Sequence, residues 1–433
     1  MSRIRLFLNA AKNRYEGLVH RNRQQVTTME ALLVVSIYAA FLYAFPVEPG
    51  DDLLRHMKAY AYDYDYRAMW PFSPGIPHFD PYLLFDMFAG GMHKTFGAKG
   101  FIPVQITALY AYAIGIYALC KDAEDRNWRI TLTMAIVALC MFRITLARPA
   151  VFESAFFLIA LATCGNEKVK WHWHLALGLF MTSFYYLFFI YLIPLVFYRR
   201  AYLVALLIGL AGWFHYAGTE YVRVLRDVFM MNSMRDGLRV AEDAGLFSYG
   251  AKYLFILVPV ICFWRRDWKK LVSVAWFALP NQARYLETLI PLLSSYARFW
   301  QMRITQTRLL LVTFCILLWN IGSTPRENSY AMLAGIVPAG SRVVSLENET
   351  MFKLIYTNDN LRVTPCQDIA WDTPVYRTAK MTALRYGMLA PGFFNPNQYD
   401  FLVEKNLTHV PEGFQLYTVS GKYRVWKPLD IKS

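Results

Sequence analysis

Charged residues are scarce in this chain, at 18% of the sequence against about 25% in soluble domains. The six cysteines form no CxxC pair and no Cys/His spacing suited to a metal, and only Cys366 lies in the polar C-terminal part. No GxGxxG, Walker, HExxH or GxSxG motif occurs in a suitable context. The sequence therefore excludes a disulfide within the C-terminal part and offers no motif for nucleotide, zinc or serine-hydrolase chemistry.

Apolar residues are in excess, at 56% against roughly 45–50% in soluble proteins. They form repeated blocks, which indicate a polytopic membrane protein. We place eleven runs, at about 29–47, 100–120, 130–147, 151–164, 173–186, 187–198, 201–218, 251–264, 271–280, 285–297 and 309–322. The segments 173–198 and 271–297 could each form one tilted span instead, which would leave nine. The basic segment 1–27 has no apolar core, so residues 29–45 are expected to be a retained first helix.

Basic residues lie mainly between the apolar runs. With a cytoplasmic N-terminus, eleven alternating spans put these basic segments on one side: 1–27, 121–129, 165–172, 199–200, 265–270 and 298–308. This is the distribution that the positive-inside rule requires. Topology and contact with anionic membrane lipid therefore explain the net charge of +14, and nucleic acid is not expected as a partner.

The same topology leaves three polar parts outside: the loop 48–99, the segment 219–250 and the tail from 323 to 433. The tail alternates turn residues and helix-compatible stretches with short β-like runs. These runs are Ser341–Leu346, Leu361–Thr364, Phe414–Val419 and Tyr423–Trp426. We expect an all-α polytopic membrane domain over 1–322 and a small extracytoplasmic α+β or Rossmann-like domain over 323–433.

An adjacent acid pair, Asp51-Asp52, follows directly on the first apolar run. Acids at a membrane edge are costly and are candidates for function. One carboxylate could accept a proton from an attacking hydroxyl, while the other orients the first or binds a divalent cation such as Mg²⁺ or Mn²⁺. Pro-Gly-Asp-Asp before Leu-Leu is also a good helix start, so a capping role stays open.

Arg55 and His56 lie one helical turn after the acid pair and share a face with Asp52. Arginine and histidine suit a phosphate or a sugar hydroxyl. A local Asp52–His56 or Asp51–Arg55 pair would explain them equally well. The alternating tyrosines that follow, at positions 60, 62, 64 and 66, could instead form a wall on which a sugar stacks.

The stretch from Pro77 to Asp86 predicts a loop that enters an amphipathic helix lying on the bilayer. His78 and Asp80 stand at the N-terminal end of this helix, where the dipole and free N–H groups favour an anion such as phosphate. A surface-anchoring helix with incidental polar caps is the alternative.

Arg143, Arg148 and Glu153 lie at or near the outer ends of two apolar runs. Charged groups at this depth must be paired, solvated or functional. Substrate binding by Arg148 and Glu153 is one hypothesis, and a structural Arg148–Glu153 ion pair is the other.

Arg284 and Tyr285 interrupt the late apolar segment 271–297. An arginine at an outer helix break could hold a lipid-linked phosphate through charge-assisted hydrogen bonds. It could equally be a hairpin residue whose side chain extends to the lipid head groups.

The order of these features resembles the glycosyltransferase C superfamily, whose members transfer sugars from polyprenyl phosphate. The matching features are the Asp51-Asp52 pair, the stretch His78-Phe79-Asp80-Pro81-Tyr82 with Phe96-Gly97 after it, Arg148-Pro149, and Arg284-Tyr285 followed by Pro291. The resemblance covers roughly residues 29–322. The adjacent acids look most like those of the arabinosyltransferases, and the tail lacks the Trp-Trp-Asp of oligosaccharyltransferases, which argues against transfer to asparagine.

The resemblance implies a membrane enzyme, in a bacterial inner membrane, with its site and C-terminal domain in the periplasm. It would transfer a sugar, such as a pentose, from a polyprenyl-phosphate donor to a hydroxyl of a protein, glycan or lipid. One of the two acids would be the general base, with Asp51 preferred, while Arg284, Arg148 and His78 stabilise the leaving phosphate. A lipid-linked glycan flippase and a non-catalytic subunit of an envelope-polymer assembly are the alternatives.

Overall fold

The structure, a computed structural model, describes residues 33–40, 51–70, 79–233, 258–278, 285–323, 331–345, 348–358, 360–364, 399–405 and 413–429. Asp51 is described in its backbone alone. Over these ranges the chain is mostly helical, and one small sheet lies near the C-terminus.

The first outer loop begins with helix α1 (Asp51–Lys58), which starts at the acid pair. Acids are favoured there because the positive end of the helix dipole stabilises them. A 3₁₀ turn over Ala59–Tyr62 and a short helix over Tyr66–Met69 follow. Asp65 begins the short helix by accepting a 2.8 Å hydrogen bond from the N–H of Arg67. These turns fold the loop back over α1.

The second half of the loop forms helix α2 (Leu83–Phe96), so the stretch from Pro77 to Asp86 enters a helix as expected; its position on a bilayer stays a prediction. The helix ends at Gly97, whose φ of +58° is left-handed and favours glycine. The Phe-Gly dipeptide of the predicted motif is therefore a helix stop.

The remaining helices form a bundle. In chain order they are α3 (Phe101–Leu119), α4 (Arg126–Ile144), α5 (Pro149–Cys164), α6 (Trp171–Phe184), α7 (Phe189–Val196), α8 (Arg200–Ala217), α9 (Thr219–Ser233), α10 (Trp268–Ala278), α11 (Leu286–Leu292) and α12 (Gln306–Ser323). Residues 258–264 are also helical, and Ala297–Gln301 is a further short helix. Most of these fall on predicted apolar runs. The exceptions are α9, in a segment expected to be polar and helix-compatible, and Ala297–Gln301, which lies mainly in the predicted basic segment 298–308.

The segment 173–198 is two helices, α6 and α7, and not one continuous helix; the number of times it crosses a membrane stays a prediction. Tyr185 interrupts it in an extended conformation. The N–H of the next residue, Tyr186, donates a 3.2 Å hydrogen bond to the carbonyl of Pro81 in the outer loop. The chain therefore breaks where the outer loop docks. The corresponding junction of 271–297, at 279–284, lies outside the described residues.

Two described helical stretches are long and apolar enough to cross a membrane, Phe101–Asp122 and Arg200–Ala217. The first is 61% buried within the protein and the second only 28%. Shorter apolar helices span Pro149–Cys164 and Gln306–Trp319. Core helices of soluble proteins meet the same criteria, so the eleven-span topology stays a prediction.

Several of the basic segments lie together at one end of the bundle. The guanidinium of Arg298 is 3.1 Å from the carboxylate of Glu124. Arg199 donates a 3.1 Å hydrogen bond to the main chain at the end of α5. The ammonium of Lys121 lies directly beside Gly165. The outer loop contacts Arg148, before α5, and Tyr186, after α6, at the opposite end of the bundle, so these described basic segments lie far from α1.

The C-terminal sheet has the strand order β2-β1-β3-β5-β4. Its strands are β1 (Arg342–Val344), β2 (Arg362–Thr364), β3 (Phe401–Lys405), β4 (Phe414–Ser420) and β5 (Tyr423–Pro428). Four of them fall on the predicted β-like runs, and β3 was not predicted. Strand β1 pairs in parallel with β2 and β3, whereas β5 pairs antiparallel with β3 and β4. Helix α13 (Asn348–Thr357) is the crossover that joins the parallel strands β1 and β2.

Candidate active site

Helix α1 places Asp52, Arg55 and His56 on one face, and all three are buried. The guanidinium of Arg55 donates two hydrogen bonds to Oδ1 of Asp52, from Nε at 3.0 Å and from Nη2 at 2.6 Å. Nε2 of His56 lies 3.6 Å from the other oxygen, Oδ2. Of the two local pairs that the sequence left open, Asp52 and His56 are neighbours. Arg55 pairs with Asp52, and the Asp51–Arg55 pair stays untested because the side chain of Asp51 is not described.

Four side chains at the same face of α1 form a closed ring of polar contacts. They are Arg55, Tyr66, Asp86 and His56. Nη1 of Arg55 donates a 2.6 Å hydrogen bond to the hydroxyl of Tyr66, which donates a 2.9 Å bond to Oδ2 of Asp86 on α2. The other oxygen of Asp86 bonds Nδ1 of His56. Nε2 of His56 lies 2.9 Å from Nη2 of Arg55, and because a guanidinium only donates, Nε2 accepts and Nδ1 carries the proton. The ring therefore fixes the tautomer of His56.

Arg148 reaches this cluster from the bundle. It lies immediately before Pro149, the first residue of α5, in an extended conformation that proline imposes on its predecessor. Its Nε is 3.8 Å from Oδ2 of Asp52, and 20% of its side chain remains exposed. Arg148 is thus the most accessible charged group of the cluster, since Arg55 is only 1% exposed.

Asp52 is held as a carboxylate by its neighbours. Burial alone would raise its pKa, but the guanidinium of Arg55 beside it, with Arg148 further away, holds the pKa well below its usual range. A carboxylate with so low a pKa accepts a proton poorly, because general bases work best with a pKa near the operating pH. Asp52 is therefore better suited to orienting its neighbours than to proton abstraction.

Asp80 lies beside this cluster, just before α2. Its pKa is shifted in the opposite direction from that of Asp52. One oxygen accepts a 2.8 Å hydrogen bond from the N–H of Tyr82. The other oxygen is buried with no hydrogen-bond partner among the described residues. Burial, together with the nearby charge of Asp86, raises the pKa of Asp80 well above its usual range. Asp80 is therefore favoured as a neutral carboxylic acid.

The C-terminal domain forms part of the wall around Arg55. Helix α13 packs against α1, and the ring of Phe352 on α13 lies 5.9 Å from the Arg55 guanidinium carbon. On the same helix, the hydroxyl of Tyr356 donates a 3.0 Å hydrogen bond to the carbonyl of Ala98. The tail is thus continuous with the candidate site.

A second buried polar cluster joins the bundle helices. Nε of Arg143 on α4 is 3.4 Å from Oε2 of Glu287 on α11. The hydroxyls of Thr288 and Ser154 lie 2.8 Å apart and connect α11 to α5. Tyr285, at the start of α11, packs its ring on Phe277 at 5.8 Å. This cluster positions α11, the late helix that the sequence analysis selected.

Glu153 is fully buried on α5, and neither of its carboxylate oxygens has a hydrogen-bond partner among the described residues. The alternative of an Arg148–Glu153 ion pair is therefore wrong, and among the described residues Arg148 faces the carboxylate of Asp52. Pro149 turns the chain between the two residues, which directs Arg148 towards α1.

Of the predicted site residues, the structure brings Asp52, Arg55, His56 and Arg148 together, with Asp80 beside them. His78 and Arg284 lie outside the described residues, as does the side chain of Asp51. Their predicted roles stay predictions.

Sequence reasoning missed Asp86 as a member of this site, and it assigned Tyr66 to a sugar-stacking wall. Asp86 is a lone acid in the first turn of the otherwise largely apolar helix α2. A buried acid requires partners, so an isolated carboxylate on an apolar helix was the available signal.

No group of three or more His, Cys, Asp or Glu side chains in the described part of the chain is arranged to hold a metal ion. Comparison with known proteins adds no relative: no protein-family model and no curated protein matches the chain. The functional proposal therefore rests on sequence and geometry.

Proposed function

We propose that the chain is an integral membrane glycosyltransferase that moves a sugar, such as arabinofuranose, from a polyprenyl-phosphate donor to an acceptor hydroxyl. The observation that carries this proposal is the convergence of Asp52, Asp86 and Arg148. These residues belong to three separate segments that the sequence analysis selected independently, and they meet in one buried cluster. A buried acid cluster beside a partly exposed arginine suits a reaction that transfers a proton and releases a phosphate.

A membrane location is supported by the apolar surface of the bundle. Large hydrophobic side chains are exposed on several helices, among them Leu207 and Phe214 on α8 and Leu311, Phe314 and Leu318 on α12. Lipid would cover such faces. The clustering of basic segments at the far end agrees with eleven spans, a cytoplasmic N-terminus and an outer active site.

In the proposed reaction, the acceptor oxygen attacks the anomeric carbon of the sugar and its proton passes to a carboxylate. The bond between the anomeric carbon and the phosphate oxygen breaks, and the electron pair leaves with polyprenyl phosphate. Arg148 stabilises the phosphate charge by charge-assisted hydrogen bonds, with Arg284 and His78 as further candidates. A divalent cation is not required for this charge balance.

We assign the base to Asp51 and a positioning role to Asp52. Asp52 already accepts two hydrogen bonds from Arg55, and its low pKa weakens it as a proton acceptor. The adjacent acid begins the same helix and is the remaining carboxylate of the pair.

The test is sugar transfer by purified protein in liposomes containing a radiolabelled polyprenyl-phosphate sugar. Asp51→Asn is expected to lower transfer by about 10²–10⁴-fold, the usual cost of losing a general base. Asp122→Asn, an exposed acid at the basic end, is the matched control and should retain activity. Near-normal transfer by both Asp51→Asn and Asp52→Asn would reject the proposal. Movement of labelled lipid across the bilayer with no glycosylated product would favour a flippase.

A further inference from the structure

The guanidinium of Arg55 is enclosed by aromatic rings. Its central carbon lies 5.2 Å from the ring centroid of Tyr66, 5.6 Å from Trp70, 5.1 Å from Tyr82 and 5.9 Å from Phe352. All of these distances are within the range of cation–π attraction. These rings come from both halves of the outer loop and from the C-terminal domain, so three parts of the chain build one enclosure for a cation.

Inside this enclosure the hydrogen-bond donors of Arg55 are directed at protein groups. Nε and Nη2 bond Asp52, Nη2 also faces Nε2 of His56, and Nη1 bonds the hydroxyl of Tyr66. Arg55 is 1% exposed. A substrate phosphate therefore cannot reach it without dismantling the ring, which differs from the substrate-binding role expected from sequence.

The surroundings of Asp52 fit a guanidinium and do not fit a divalent cation. Oδ1 of Asp52 accepts both bonds from Arg55, and Oδ2 faces Nε of Arg148 at 3.8 Å. A metal ion at either oxygen would lie beside a fixed positive charge and would be repelled. Two donors of the Arg55 guanidinium, Nε and Nη2, converge on the single oxygen Oδ1, and a metal ion there would have to displace them.

We propose that Arg55 is the built-in cation of the site, a positioning residue that holds Asp52 and takes the place of a divalent ion there. The aromatic enclosure keeps this charge in place, and Arg148, whose side chain is 20% exposed, is the arginine proposed to meet the donor phosphate. Only the catalytic effect of Arg55 in this inference rests on the proposed function. The cation site itself is tested by binding measurements that need no activity.

The first test titrates Mn²⁺ into purified, chelator-treated full-length protein and follows free Mn²⁺ by electron paramagnetic resonance. The expected result is that wild type and Asp52→Asn bind Mn²⁺ equally, or not at all. Binding by wild type that disappears in Asp52→Asn would overturn the proposal, because Asp52 would then be a metal ligand.

The second test removes the side chain with Arg55→Ala and adds ethylguanidinium at millimolar concentration. The ligand is expected to raise the melting temperature of Arg55→Ala by about 2 °C or more, because it stabilises only the folded state. Wild type and Arg223→Ala, which removes a partly exposed arginine on α9, should show no rise. An equal response in all three proteins would overturn the proposal.

The third test uses Arg55→Lys, which keeps the charge and loses the fork. Since Arg55 does not touch the donor, kcat should fall by ~10²-fold, as for other misplaced catalytic groups, while KM for the lipid donor stays unchanged. A raised KM with unchanged kcat would mean that Arg55 binds substrate and would overturn the proposal. If wild type transfers no sugar at all, the proposed function fails, while the first two tests still decide the role of Arg55.

Discussion

The hydroxyl of Tyr62, in the first outer loop, donates a 2.7 Å hydrogen bond to the main-chain carbonyl of Leu361, next to strand β2. Leu361 lies 299 positions after Tyr62 in the chain. This bond and the packing of α13 on α1 join the loop that carries the acid pair to the C-terminal domain. The sheet is therefore expected to support the site rather than to act as a separate module.

Removal of this bond by Tyr62→Phe should lower the free energy of unfolding by about 1 kcal/mol, the net value of one hydrogen bond. Thermal unfolding in detergent measures the change. Tyr417→Phe, at a half-exposed position on β4, is the matched control and should leave stability unchanged. Equal stability of Tyr62→Phe and the control would contradict the coupling of loop and sheet.

Asp86→Asn should be strongly destabilising. Asp86 is fully buried and accepts hydrogen bonds from both His56 and Tyr66. The amide has one acceptor oxygen where the carboxylate has two, so at least one of these two buried hydrogen bonds is lost, at a cost of about 3 kcal/mol. The measurement is the free energy of unfolding, with Asp122→Asn as the control. A loss of less than about 1 kcal/mol relative to the control would show that the ring of Arg55, Tyr66, Asp86 and His56 does not hold the loop together.

Unlike Asp86→Asn, the variant Asp80→Asn should not lower the stability of the protein at pH 7. The folded-state pKa of Asp80 is raised by burial and by Asp86, so ionisation costs stability as the pH rises above the unfolded value of about 3.9. The amide keeps the bond from the N–H of Tyr82 and removes this cost. The variant is expected to be at least as stable as wild type at pH 7, with no advantage below about pH 4. Destabilisation at pH 7 comparable with that of Asp86→Asn would contradict the assignment.

Asp52 should make the protein sensitive to acid. Its pKa is lower in the folded state than in the unfolded state, because Arg55 and Arg148 outweigh burial. The resulting stability is complete above about pH 4 and is lost as the pH falls through the folded pKa. Thermal unfolding from pH 7 to pH 3 should show a steeper loss for wild type than for Asp52→Asn. Parallel profiles would mean that the Asp52–Arg55 pair adds nothing to stability.

Arg148→Lys should affect donor binding more than folding. Lysine keeps the charge but loses the planar fork that binds phosphate through two bonds. Transfer at low donor concentration should fall by about 10–100-fold, the value of a charge-assisted hydrogen bond, with little change in melting temperature. Arg223→Lys, whose partner is Glu220, is the control. Unchanged donor dependence in Arg148→Lys would remove Arg148 from the phosphate site.

Local pattern was sufficient to predict most helices of the bundle and four of the five strands. Strand β3 was missed because Phe401–Lys405 is short and ends in two charged residues, and its place between β1 and β5 depends on long-range pairing. The break at Tyr185 left two possibilities, because the bond made beside it, from Tyr186 to Pro81, joins residues that are far apart in the sequence.

Only part of the site could be predicted, because some of its contacts also join residues that are far apart in the sequence. Spacing on α1 was enough to place Arg55 and His56 beside Asp52. The bond from His56 to Asp86 joins residues on different helices, and no local spacing encodes it. The Arg148–Glu153 pair was wrong because proximity in sequence was taken as proximity in space, whereas Pro149 directs Arg148 to another helix.

The most direct measurement of the central claim is an experimental structure of the full-length protein in lipid nanodiscs with polyprenyl monophosphate bound. The proposed mechanism predicts the phosphate within about 3 Å of the Arg148 guanidinium and on the same side of α1 as Asp51. A phosphate bound at the basic end of the bundle, near Arg298 and Glu124, or remote from both α1 and α5, would contradict it.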